Sequence, residues 1–149
     1  MIINVTKDLG PAKLIARARI DREAEEVRSG YRTPGTAMAE IYAKQADEAG
    51  RFLRSKTRRL SNYPWLERQA VLLAADPVEL ATTWQQKDAE YQAVSALINA
   101  LRLTAKEAVD RARSPDEIER AATVDWWAAV GRAEPDPRGG KDPKQPIGG

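Results

Sequence analysis

The sequence predicts an all-α chain: an elongated helical bundle or hairpin array built around one long helix, with a short N-terminal strand or extended arm. Three observations predict it. Asp76-Pro77-Val78-Glu79 and Ser114-Pro115-Asp116-Glu117 each combine a capping side chain, proline at the first helical position and glutamate at the third. Between these two starts, no residue from Val78 to Arg113 is Gly or Pro. Over the same stretch Leu80, Trp84, Lys87, Tyr91, Val94, Ile98, Leu101, Ala105, Ala108 and Ala112 step by three and four, a helical seam that only Lys87 interrupts.

A continuous helix from about Pro77 to Arg113 would be ~55 Å long at 1.5 Å per residue. A compact chain of this size has a diameter near ~40 Å, so the molecule should be elongated. The seam also narrows from Trp84 and Tyr91 to Ala105, Ala108 and Ala112, which favours the closest helix approach at its small end.

Three regions follow along the chain: an arm at 1–10, a helical domain at 11–131 and a Pro/Gly-rich tail at 132–149. Ile2, Ile3 and Val5 alternate in Met1 to Thr6 and read as a strand. Pro11 opens a helix that runs to Ser29, closed by Gly30, with Ala16, Ile20, Ala24, Val27 and Tyr31 on one face. Thr33-Pro34 restarts the chain after a hairpin around Tyr31 to Gly35, and Met38, Ile41, Tyr42, Ala49, Phe52 and Leu53 keep helical spacing. A basic connector, Arg51 to Leu60, leads to a short helix opened by Tyr63-Pro64-Trp65-Leu66 and ending near Ala75. The last helix starts at Pro115 and ends near Gly131. Glu134 to Gly149 holds four of the nine prolines and four of the nine glycines, a composition that cannot order itself alone.

Composition excludes much. The 149 residues include no Cys and no His, which removes disulfides, thiolate nucleophiles, the usual zinc and haem ligands and His-dependent triads. An enzyme would have to work with carboxylates, Lys or Tyr, and no such constellation stands out, so neither an enzyme nor a cofactor is expected. The 24 basic and 22 acidic residues nearly balance, which disfavours a dedicated nucleic-acid binder. No run approaches the ~20 apolar residues of a membrane span, and the N-terminus lacks a signal-peptide pattern, so a cytoplasmic site of synthesis is expected.

Three clusters carry candidate roles. Asp21, Glu23, Glu25 and Glu26 are interleaved with Arg17, Arg19, Arg22 and Arg28, which reads as a solvated, salt-bridged face rather than a metal site. Arg51, Arg54, Lys56, Arg58 and Arg59, with Tyr63 and Trp65 behind them, could form a phosphate-binding patch; a solvated connector whose cations sit at a helix C-terminus, where the dipole favours them, is the preferred reading. Trp126 and Trp127 stand about 100° apart on a helix, so one of them is available as an interface anchor unless both pack at the edge of a wide core face.

The stretch Ala12-Lys13-Leu14-Ile15-Ala16-Arg17-Ala18-Arg19-Ile20-Asp21-Arg22-Glu23, continuing through Tyr31-Arg32-Thr33-Pro34-Gly35, resembles the helical domains of tailed-bacteriophage tail proteins. Tyr63-Pro64-Trp65-Leu66 and Ala105-Lys106-Glu107-Ala108-Val109-Asp110, leading into Ser114 to Ile118, look like later parts of the same pattern. The resemblance spans roughly 12–131 and implies a virion structural protein, a tail fibre- or baseplate-associated adaptor made in the host cytoplasm. Its partners would be other tail subunits or a second copy of itself, with no membrane. A fibre-assembly chaperone is the alternative in the same setting, and a nucleic-acid-binding regulator using residues 51–59 is the alternative from another class. The expected contact points are the chain ends and the tryptophan pair: Ile2, Ile3, Val5, Trp126, Trp127, Pro135, Pro137, Pro143 and Pro146. Long β-rich repeats, the mark of a whole tail fibre, are missing from the sequence.

Overall fold

A computed structural model describes residues 8–30 and 36–131. The N-terminal strand at Ile2, Ile3 and Val5, the turn at Tyr31 to Gly35 and the tail with Pro135, Pro137, Pro143 and Pro146 lie outside the described residues. Within them the chain is all-α, 83% helical with no strand. The order is α1 (Gly10–Ser29), α2 (Thr36–Arg54), a single 3-10 turn (Leu60–Asn62), α3 (Pro64–Leu73), α4 (Pro77–Arg111), α5 (Pro115–Ala122) and α6 (Trp126–Ala129).

The two strong start signals work as their chemistry requires. Asp76 accepts from the backbone N–H of Val78 (2.8 Å) and Glu79 (3.1 Å), and Ser114 Oγ accepts from Glu117 N–H (3.1 Å). The reciprocal bond at α5 is shifted by one residue, because the Glu117 carboxylate accepts from Arg113 N–H at 2.6 Å. α4 stops at Arg111, two residues short of the expected end, as Ala112 turns extended (ψ 141°). Its 35 residues span ~52 Å.

α4 is the element on which the others are mounted, and buried side chains gather in two separate clusters along it. In the first, Ala16, Ile20, Ala24 and Val27 of α1 meet Ile98, Ala105 and Val109 of α4, with Ala112, Ile118, Ala122 and Trp126 closing the far side. The expected α1 face is thus the core face as far as it is described. In the second, Ala49 and Phe52 of α2 meet Tyr63 and Leu66 from around α3 and Ala81 and Trp84 of α4. Phe52 and Tyr63 stack edge to face, 5.3 Å between centroids and 81° between planes.

The long seam is corrected at its C-terminal end. Ala108 is exposed and Val109 is fully buried in its place. A strict three-four alternation drifts by about 20° per heptad on a straight helix, enough to move the contact by one residue over this length. α1 and α2 also fail to form a shared hairpin core; among the described residues each packs on its own half of α4.

The expected last helix is two helices. α5 ends at Ala122, capped by Thr123, whose Oγ1 donates to Glu119 O (2.7 Å), and α6 restarts with Asp125 accepting from Ala128 N–H (3.2 Å). This break turns Trp126 into the first cluster. Gly30 does not end α1 in a left-handed conformation (φ −67°); a Cβ there would lie 2.9 Å from Cη2 of Trp127, so a larger residue must displace that ring.

Candidate protein-docking face on α3

α3 is a ten-residue helix apolar on two sides. Pro64 opens it at the first position, and Tyr63 offers no side-chain cap. The cap comes from α2: both carboxylate oxygens of Glu48 accept from Trp65 N–H, at 3.0 and 2.9 Å. Glu48 is only 4% exposed. Burial pushes its pKa up, opposed by the N–H groups of Trp65 and Leu66 and by Arg51, while Asp47 adds to the upward shift. The other end closes through Ala74, which is left-handed (φ 50°), with Ala75 N–H returning to Ala70 O at 2.9 Å.

Leu66 and Ala70 face inward and are buried. Val71, Leu72 and Leu73 follow at about 100° intervals, so no single stripe can bury all three together with Leu66. They are 71%, 84% and 63% exposed, and Trp65 is 39% exposed. A cleft of about 600 Å³ runs beside them, lined by Gln45 of α2 and by Pro64, Trp65, Arg68, Gln69, Leu72 and Leu73. Gln45 Nε2 donates to Gln69 Oε1 across it (3.3 Å). Full burial of an exposed leucine against a partner contributes about 1.5–3 kcal/mol, so this face suits docking. The residues lining the cleft include no acid/base pair and no activated nucleophile.

The candidates named from sequence fall differently. Trp126 is buried (4% exposed) and its Nε1–H donates to Glu23 Oε2 at 3.0 Å, so it belongs to the core and offers no surface to a partner. Trp127 is half-buried against the same cluster. The basic cluster is divided. Arg51 pairs with Asp47 (2.9 Å) and lies over the Tyr63 ring, while Arg58, left-handed at φ 43°, donates to Leu53 O and lies over Phe52. Both close the second core. Arg54, Lys56 and Arg59 are exposed, with no carboxylate partner among the described residues. Tyr63 is buried, which removes it as a stacking platform.

The mixed charges on α1 do more than solvate it. Arg19–Glu23 (3.0 Å) and Arg22–Glu26 (3.9 Å) pair along the helix. Asp21 instead reaches Arg102 and Lys106 of α4, each at 2.8 Å, and these hydrogen bonds hold its pKa below the ordinary range. Arg17 reaches Asp110, and Arg19 reaches Glu119 of α5 at 3.1 Å. Among the described residues no group of three or more Asp or Glu is placed to hold a metal ion, and no helix is long and apolar enough to cross a membrane.

No protein-family model matches the chain, and neither curated proteins nor solved structures provide a match.

Proposed function

We propose that the chain is a non-catalytic adaptor that docks onto other protein subunits through the outer face of α3. The observation that carries this reading is the run Val71-Leu72-Leu73, three large apolar side chains left in solvent by a helix whose inward face is already satisfied. The resemblance noted along residues 12–131 supplies the setting: a tail fibre- or baseplate-associated component of a bacteriophage virion. Arg54, Lys56 and Arg59 are too few to favour the nucleic-acid-binding alternative.

Quantitative mass spectrometry of purified particles tests the proposal, using phage carrying the wild-type chain or Leu72→Asp. The wild-type chain should be found in the particle and the variant depleted from it. Abundance in infected cells with none in particles would make it an assembly chaperone instead. Equal incorporation of wild type and variant would refute docking through α3.

A further inference from the structure

Resting on that reading of α3, we propose that the occupant of its cleft is an acidic amphipathic helix of another protein. Shape comes first. Trp65 and Leu72 lie seven residues apart on α3 and bracket the cleft, a separation of about two helical turns, ~10.5 Å. A helix laid into such a groove inserts apolar side chains one turn apart, with its polar flanks left at the rim.

Charge then selects the occupant. Arg68 is the one charged residue lining the cleft, and it has no carboxylate partner among the described residues. From Arg54 to Arg68 the sequence holds five cations, Arg54, Lys56, Arg58, Arg59 and Arg68, against Glu67 alone. None of the five is within 4.0 Å of a described carboxylate, whereas Arg17, Arg19, Arg22 and Arg28 of α1 all are. The arginines of α1 are thus each met by a carboxylate, whereas Arg68 at the cleft is not. A carboxylate on the occupant would therefore meet Arg68, a cation without a counter-charge, beside apolar walls that reduce screening.

The same geometry disfavours a second copy. Arg68 lies midway between Trp65 and Leu72, so pairing α3 with itself about a twofold axis brings two Arg68 side chains together at the centre. Single-stranded nucleic acid is disfavoured because Tyr63 is buried and Trp65 is bordered by leucine, leaving no row of stacking rings.

The test is selection from a displayed library of random helical peptides on the immobilised full chain, followed by fluorescence anisotropy with the enriched peptides. Enriched sequences should carry two or three apolar residues at helical spacing, flanked by Asp or Glu. Arg68→Glu should weaken their binding about tenfold and favour Lys-substituted versions, and added salt should weaken the wild-type complex. Leu72→Asp should abolish binding; Leu72 is 84% exposed, and an unchanged thermal transition would confirm that the variant folds. Enriched peptides without acidic residues, or affinity indifferent to Arg68→Glu, would overturn the acidic occupant while leaving α3 as a docking face. Binding indifferent to Leu72→Asp would sink both, as would failure to enrich any peptide. Self-association lost in Leu72→Asp would make a second copy the occupant and overturn this proposal.

Discussion

Replacing Glu48 would separate two effects that meet in one side chain. The carboxylate satisfies the N–H groups that begin α3, yet it is charged and buried. Glu48→Ala leaves those donors without their acceptor, which costs about 1–3 kcal/mol. That corresponds to a melting temperature lower by roughly 3–10 °C for a domain of this size. Glu48→Gln keeps one acceptor oxygen and removes the charge, so its cost should be smaller and should depend on pH. The direction follows from the raised pKa. In the folded state the carboxyl group holds its proton more tightly than in the unfolded chain, so its contribution is complete below the ordinary value of 4.5 and is lost as pH rises through the folded pKa. Asp21, whose pKa is lowered, contributes the opposite trend, present above the ordinary Asp range and lost as pH falls through its folded value. Subtracting Glu48→Gln from wild type cancels Asp21 and every other shared group. Urea unfolding at about pH 4 and about pH 7 should therefore show Glu48→Gln gaining on wild type as pH rises. If the variant instead loses ground between those two pH values, the N–H bonds outweigh desolvation and the reasoning fails.

Four further substitutions probe the packing. Gly30→Ala should destabilise by about 1 kcal/mol, because the Trp127 ring must shift. The cost should vanish in a Trp127→Ala background; an equal cost there would refute the contact. Ala74→Gly should stabilise by roughly 0.5–1 kcal/mol by relieving a left-handed residue, checked by thermal unfolding, and a loss would show that unfolded-chain entropy dominates. Ile20→Ala should cost ~2–5 kcal/mol, whereas Leu14→Ala, on the same helix but 71% exposed, should stay within about 0.5 kcal/mol. Comparable effects would mean that the inward face of α1 is misassigned.

What was legible in the sequence was local. Asp76 and Ser114 announce helices because capping needs only the next three residues, and Ala16, Ile20, Ala24 and Val27 announce a face because one helix fixes their direction. The break at Thr123 to Asp125 went unread because no Gly or Pro marks it; Asp125 followed by two tryptophans was the available signal. Glu48 could not be read, since its partner is the backbone of another helix 17 residues away. The α3 face was readable in part: three consecutive large apolar residues cannot share one stripe, the same argument that separates Trp126 from Trp127. Which of those tryptophans turned inward depended on the break before α6, a matter of tertiary geometry.

The two clusters on α4 bear on cooperativity. None of residues 85–97 is buried, so roughly 20 Å of partly covered helix, with Gln85 donating to Ala46 O of α2 and Val94 packed on the first cluster, separates the cores. Loosening one end then withdraws few core contacts from the other. Native-state hydrogen exchange should resolve two levels of protection, with Ile20→Ala lowering one and Glu48→Ala the other. Two foldons strung on a shared rod are the expected behaviour, the α3 end loosening while the α1 end keeps its shape.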